Sequence, residues 1–267
     1  MLAFANAKIN LGLNVTGKRP DGYHELQTVF YPVKIYDVVE ITDAPETTFE
    51  SHGIAIPGSQ SENICLKAYE RFKTDFEIPP QRITLLKNIP VGAGLGGGSS
   101  DAAFLMKLIN DKFKLGLTTA QLVEYVRPLG ADCAFFIENK PVYATGKGDE
   151  FSAVELDLSG GYLVLIQPEI HVSTATAYAG VRPQEPAHAL RELIELPLSS
   201  WAGHIKNDFE ASVFERYPEI EQIKTKLYAA GATFASMSGS GSSVFGVFNE
   251  RVTLSELESR YKVFYDV

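Results

Sequence analysis

An α+β fold in two domains, residues 1–158 and 159–267, is the class the sequence predicts. Three observations predict it. Strand-like and helix-like segments do not follow a strict βα alternation, which argues against a wound parallel sheet. The first 50 residues read almost wholly as strand. A shift to small residues at Ser159-Gly160-Gly161 marks a boundary, and beyond it the order is strand, helices, strand, strand, helix, strand.

Strands are expected over Ala5–Val15, Glu25–Val33 and Asp37–Thr42, with the turn-forming run Gly17-Lys18-Arg19-Pro20-Asp21-Gly22 after the first. Ile64, Ala68, Tyr69 and Phe72 share one face of a helix over Glu62–Phe76. Arg82–Lys87 is a strand that enters a glycine-rich loop, and Ser99–Phe113 is the helix that leaves it. Thr118 and Gln121 make a capping box for a helix ending near Leu129. Ala134–Ile137 and Val142–Thr145 read as strands around Glu138-Asn139-Lys140-Pro141. In the second domain Tyr162–Ile166 is an apolar strand, and residues 187–217 look helical. Pro218–Ala230 is a helix with proline at its start, Gly231 beyond its end and an Ile220, Ile223, Leu227 stripe. Ala232–Met237 and Ser243–Phe248 are strands around a small-residue turn, Leu254–Arg260 is helical, and Lys262–Val267 is a last strand.

Composition bounds the function. A hydrophobic fraction of 45% and a charged fraction of 21% suit a globular protein with a sizeable core. The net charge of −9 argues against a nucleic-acid surface, so an anionic substrate must be met by a local site. The two cysteines, Cys65 and Cys133, have neither metal-ligand spacing nor the number for a disulfide framework. No stretch approaches the roughly 18 consecutive apolar residues of a membrane span, and Met1–Lys8 lacks the pattern of a signal peptide. A soluble, cytoplasmic enzyme with no membrane partner is the expectation.

The most informative stretch is Pro90-Val91-Gly92-Ala93-Gly94-Leu95-Gly96-Gly97-Gly98-Ser99-Ser100, followed by Asp101-Ala102-Ala103 and a patterned helix. Five glycines in seven positions let the backbone approach a partner closely. The free N–H groups and positive dipole end of the next helix point back at the loop, an arrangement that holds phosphate. Gly92 to Gly97 also satisfies G-x-G-x-x-G, but the acidic residue on a second strand about 20 residues on, which a dinucleotide fold needs, is missing. A P-loop is excluded because no lysine follows Gly98. A plain glycine linker does not suit a position between a strand and a well-formed helix.

Four further elements carry chemistry. Lys8 lies on an otherwise apolar strand; from that segment alone, a lysine turned to solvent is the simpler reading. Asp132 lies among small and apolar residues, where it is either a helix N-cap or a general base that needs a partner to stay ionised. A lysine nearby supplies that partner, so Lys8 and Asp132 persuade as a pair. Asp21-Gly22-Tyr23-His24 combines a turn with two rings able to stack on or hydrogen-bond a base. Met237 to Ser243, with Gly239, Ser240 and Gly241 at its centre, is either a hairpin turn or a second backbone cradle.

Together and in this order, these segments resemble the superfamily of galactokinase, homoserine kinase, mevalonate kinase and phosphomevalonate kinase. The runs Ala7–Leu11, Gly17–Leu26, Gly92–Ala103, Leu129–Asp132 and Met237–Gly241 are similar, within it, to the 4-diphosphocytidyl-2-C-methyl-D-erythritol kinases. The resemblance implies an N-terminal domain like ribosomal protein S5 domain 2 and a ferredoxin-like C-terminal domain. It implies transfer of the ATP γ-phosphate, with Mg²⁺, to the 2-hydroxyl of the cytidyl-diphospho-methylerythritol substrate, a step of non-mevalonate isoprenoid synthesis, by a monomer or homodimer.

The same resemblance implies the residue roles. Asp132 accepts the proton of the attacking hydroxyl, and Lys8 keeps Asp132 ionised and offsets charge on the transferring group. Residues 90–100 bind the triphosphate, with Ser99 or Ser100 near the metal. Tyr23, His24 and Tyr178 frame the cytosine, and Asn10 reaches the methylerythritol end. The competing readings are a mevalonate- or homoserine-type kinase, a nicotinamide oxidoreductase and a non-catalytic nucleotide-binding module.

Overall fold

Two long strands at the N-terminus organise the chain. The computed structural model describes all 267 residues. Strand β1 (Leu2–Lys18) pairs with β2 (His24–Asp43). The two strands expected over Glu25–Val33 and Asp37–Thr42 are one, because Val33, Ile35, Asp37, Val39 and Ile41 stay buried in step through the supposed break. Pro32, which lacks an N–H, lies outside the ladders β2 makes with β4 and β5.

Two compact units emerge, each built from separated stretches. The first comprises Met1–Lys8, Ile35–Val91 and Gly96–Lys140. In it β4 (Gln81–Lys87) pairs antiparallel with β2 and parallel with β3 (Thr48–Gly53). Helix α1 (Ile64–Phe76) starts at Asn63, whose side chain accepts from the Cys65 N–H. It packs on α2 (Gly97–Lys112), which buries Ala102, Ala103, Leu105, Met106 and Ile109. Helix α3 (Thr119–Val126) opens on the expected capping box of Thr118 and Gln121. Residues Ala134–Ile137 do not form the expected strand. Phe135–Glu138 is a helical turn, α4, closed by the left-handed Asn139, whose N–H reaches the Phe135 carbonyl. Every residue from Cys133 to Ile137 is buried, and a short run with no polar alternation does not distinguish a strand from a buried helix.

The second unit comprises Ile9–Lys34, Gly92–Leu95 and Pro141–Val267. Here β2 pairs with β5 (Val142–Thr145), and β5 with β6 (Glu150–Ala153). The strands β7 (Tyr162–Gln167), β8 (Phe234–Met237), β9 (Val244–Phe248) and β10 (Lys262–Tyr265) form an antiparallel sheet in the order β10-β7-β9-β8. Helix α5 (Thr174–Ala179) follows β7. The helical expectation for 187–217 holds only in pieces, α6 (Leu190–Ile194) and α7 (Phe209–Arg216), with a 3₁₀ turn at Leu198–Ser200 behind Pro197. Helix α8 (Pro218–Ala229) has the expected proline start and buries Ile220, Ile223 and Leu227, each contributing about 1.5–3 kcal/mol of apolar transfer. Helix α9 (Ser255–Glu258) leads into β10. The result is an α+β protein, and none of its helices is long and apolar enough to cross a membrane.

Candidate active site

In the first unit, Lys8 does not turn to solvent. It sits at an inward position of β1 with 4% exposure, and its Nζ stands 3.3 Å from Oδ2 of Asp132. Asp132 follows the 3₁₀ turn Arg127–Leu129 and is not the N-cap of α4, which is Ala134. Its side chain is 30% exposed, so the carboxylate is held by a buried ammonium on one side and open on the other. That is the arrangement a general base requires.

The same unit holds the helical end of the glycine loop. Gly96 is the N-cap of α2, in the left-handed region at φ 68°, and an ideal Cβ there would lie 3.1 Å from Cε of Lys8. The Lys8 stem therefore lies directly against the start of α2. The first helical bond is Ser100 N–H to Gly96 carbonyl at 3.0 Å, which leaves the N–H groups of Gly97, Gly98 and Ser99 without helical acceptors. The positive end of a 16-residue helix faces the same way. Ser100 is fully buried and its hydroxyl donates to the Asn6 carbonyl at 2.7 Å. Ser99 stays partly exposed beside Cys133, whose thiol burial pushes up to about 11. No strand follows α2 before Val142, so G-x-G-x-x-G does not open a βαβ unit and the nicotinamide reading fails.

Below this turn lies a cluster the sequence reading missed. Lys87, at the end of β4, donates to Oδ2 of Asp37 and, at 2.7 Å, to Oδ2 of Asp101 on α2. Asp37 is 0%, Lys87 4% and Asp101 1% exposed, so none of the three reaches solvent. Oδ1 of Asp37 accepts the N–H groups of Asn88 and Ile89 at 2.6 and 2.8 Å, whereas Oδ1 of Asp101 has no partner. Burial pushes the Asp101 carboxyl up to about 8 against the pull of Lys87. Burial draws Lys87 down, but Asp101 and Asp37 outweigh it and the net shift is upward. A signal was present: Asp37 and Lys87 both fall in phase with the buried residues of strongly alternating strands.

In the second unit, Gly92, Ala93, Gly94 and Leu95 are bound to the second glycine turn. The Ser238 hydroxyl donates to the Gly94 carbonyl at 2.9 Å, and the Ser243 N–H to that of Ala93 at 3.2 Å. Gly94 has φ 79°, and a Cβ there would meet the Ser238 carbonyl oxygen at 2.0 Å. The run Gly239-Ser240-Gly241 is thus more than a hairpin turn, because it holds the glycine loop. Asn10, 2% exposed, donates its side-chain N–H to Thr28 Oγ1 at 2.9 Å and its backbone N–H to Ser238 Oγ at 3.2 Å. The ring of His24 stacks on that of Tyr178 at 4.7 Å and 22°. Tyr178 also meets Phe209 edge to face at 4.8 Å. Tyr23 stands apart from that stack, 61% exposed, with the Lys147 ammonium 4.8 Å from its ring centre. The turn before it is rigid: the Tyr23 N–H donates to Asp21 and keeps that carboxyl below its usual range, and Arg19 clamps Asp21 and Glu25. Lys147, between two glycines, had not been singled out.

No group of three or more His, Cys, Asp or Glu side chains forms a metal cage. Of the two serines at the start of α2, Ser99 is partly exposed and Ser100 is buried.

The GHMP kinases N terminal domain family matches residues 63–140, and the GHMP kinases C terminal family matches residues 186–266. The 4-diphosphocytidyl-2-C-methyl-D-erythritol kinase of Bacteroides fragilis is 52% identical over 267 residues, covering 98% of this chain and 97% of that one. The protein of the same name from Cytophaga hutchinsonii is 52% identical over 252 residues, 94% of this chain and 93% of its own. A crystal structure of a 4-(cytidine 5'-diphospho)-2C-methyl-D-erythritol kinase superposes with a TM-score of 0.82 at 30% identity, covering 99% of this chain and 98% of the other. A glycine loop closed onto a helix N-terminus, a buried lysine on a lone aspartate and likeness over nearly the full length agree: the chain belongs to the GHMP kinases, among the 4-diphosphocytidyl-2-C-methyl-D-erythritol kinases.

Proposed function

We propose that the chain transfers the γ-phosphate of ATP to the 2-hydroxyl of 4-diphosphocytidyl-2-C-methyl-D-erythritol, a step of non-mevalonate isoprenoid synthesis. The observation that carries this is the Lys8–Asp132 pair standing against Gly96, where the free N–H groups of α2 begin. Base and phosphate-holding turn then lie together, which is the positioning phosphoryl transfer demands.

Asp132 takes the proton of the acceptor hydroxyl through its open oxygen. Lys8 holds Asp132 in place and offsets charge on the phosphoryl group in flight. The N–H groups of Gly97, Gly98 and Ser99 hold phosphate oxygens, and residues 90–96 shape the approach. Mg²⁺, when bound, neutralises phosphate charge, and Ser99 is the side chain placed to touch it. The exposed Tyr23 ring and the His24 ring, backed by Tyr178, hold the cytosine. Asn10 is bound to Thr28 and Ser238, and through those bonds it shapes the methylerythritol pocket.

The finer fold names belong to this reading. The order β7, helices, β8, β9, α9, β10 with sheet order β10-β7-β9-β8 supports a ferredoxin-like second domain. The family matches at 63–140 and 186–266 fall on either side of a division at 158/159 and support it. The name S5-domain-2-like for residues 1–158 and a cytoplasmic setting are part of the same proposal; the free thiols of Cys65 and Cys133 agree with the latter.

The test is a phosphorylation assay with ATP, Mg²⁺ and each of three acceptors: the cytidyl substrate, mevalonate and homoserine. Product of one added phosphoryl mass is expected from the cytidyl substrate alone. Comparable turnover of another acceptor, or none of any, rejects the proposal.

A further inference from the structure

We propose that the buried triad Asp37–Lys87–Asp101 is the positioning element of the phosphate loop: it locks the first turn of α2 to β2 and β4 and so sets where the N–H groups of Gly97, Gly98 and Ser99 point. The inference rests on the reading that this loop binds the ATP triphosphate.

The triad joins the two ends of the loop. Asp37 and Lys87 face each other across β2 and β4, one step beyond the pair Val38–Leu86. Lys87 is the last residue of β4, and Asp101 lies one turn into α2. The 2.7 Å bond between them closes a segment that begins at Asn88 and contains every loop glycine. Asp37 adds direction at the entrance, because its second oxygen takes the N–H groups of Asn88 and Ile89 and turns the chain out of β4. At the exit, Nζ of Lys87 lies 2.9 Å from where a Cβ on Gly97 would be, directly against the turn whose N–H groups are free.

Stability alone does not explain three ionisable groups in this place. Apolar side chains at the same inward positions hold a core as well or better, and the best-attested use of a buried polar network is to specify one register. Hydrogen bonds to the Lys87 ammonium admit a single geometry, whereas a leucine contact tolerates sliding. A sliding first turn moves three N–H groups at once relative to a bound phosphate, and misplacement of about 1 Å is enough to weaken such a site severely. The near-complete burial of all three excludes direct contact with nucleotide, so they act through the backbone they hold.

The experiment compares Asp101→Leu and Asp101→Asn with the wild-type chain. Leucine keeps the volume and leaves Lys87 balanced by Asp37, while the tie to α2 is lost. Asparagine keeps an oxygen for Lys87. Asp101→Leu is expected to raise the KM for ATP about tenfold or more, with kcat at saturating ATP and the acceptor KM within about threefold. Asp101→Asn is expected to stay within about threefold on all three. A folded Asp101→Leu with wild-type ATP KM overturns the proposal, as does a loss confined to kcat. If Asp101→Leu does not fold, Asp101→Ser, too short to reach Lys87, must show the same split, and a wild-type ATP KM there overturns it. A wild-type protein that neither binds nor uses ATP instead removes the kinase reading; ATP-competent wild type with unimpaired variants removes the triad alone.

Discussion

Lys8 and Asp132 lie 124 positions apart in sequence and 3.3 Å apart in space, the lysine buried and the aspartate open on one side. Each explains the other: the ammonium cannot be buried alone, and the aspartate stands within ion-pair distance of it. Lys8→Met and Asp132→Asn are therefore each expected to lower kcat at least about 100-fold, the scale of acid–base and charge-positioning groups. ATP binding should survive both. In the double mutant the two losses should not multiply, because the residues act as a unit. Steady-state kinetics and calorimetric ATP titration check this, and near-normal turnover in either single mutant would falsify the assignment.

The loop glycines are not equivalent. A Cβ on Gly94 strikes the Ser238 carbonyl at 2.0 Å, and one on Gly97 meets Ile89 and Lys87 at 2.9 Å, whereas one on Gly98 meets only Ile64 at 3.8 Å. Gly94→Val and Gly97→Val are expected to abolish measurable ATP binding while circular dichroism shows a folded chain. Gly98→Ala should keep the ATP Kd within about threefold, since alanine suits a helix better than glycine. A loop of interchangeable glycines, with all three variants alike, is the contrary outcome.

For the aromatic residues the expected split is by substrate. Tyr23 is exposed beneath Lys147, and His24 is already stacked on Tyr178. Tyr23→Ala should raise the acceptor KM roughly tenfold, about 1.4 kcal/mol, and leave the ATP KM unchanged. Tyr178→Ala should weaken acceptor binding less, by removing the support behind His24. An ATP KM that rises while the acceptor KM holds means that the two pockets have been exchanged.

Asp101 gives a pH dependence with a definite sign. Burial raises its carboxyl from 3.8 to about 8 in the folded state, so the folded chain holds a proton there that the unfolded chain has released. Its contribution is complete below about pH 4 and is lost as pH rises towards 8. Asp101→Asn has no such proton to lose. Urea midpoints measured from pH 5 to pH 8 should fall more steeply in wild type than in Asp101→Asn, and parallel curves count against the raised carboxyl.

The class of fold, a glycine loop running into a helix, and the kinase family were all legible in the amino-acid order. These signals are local and periodic: glycines at fixed spacing before a helix, a capping box at Thr118 and Gln121, and proline and glycine at opposite ends of α8. It misjudged Ala134–Ile137, where five buried residues in a row erase the difference between strand and helix. It also divided β2 in two around residues 34–36, where the buried alternation of Val33, Ile35 and Asp37 in fact runs through. Long-range packing confirmed the expected Lys8–Asp132 contact and supplied partners that no local pattern names: His24 on Tyr178, Tyr23 under Lys147, and the glycine loop bound to Ser238. It alone brought Asp37, Lys87 and Asp101 together. A charge in phase with a buried strand face announces that a partner is required, but which residue supplies it depends on strand register and helix placement, and those are set by contacts far apart in the chain.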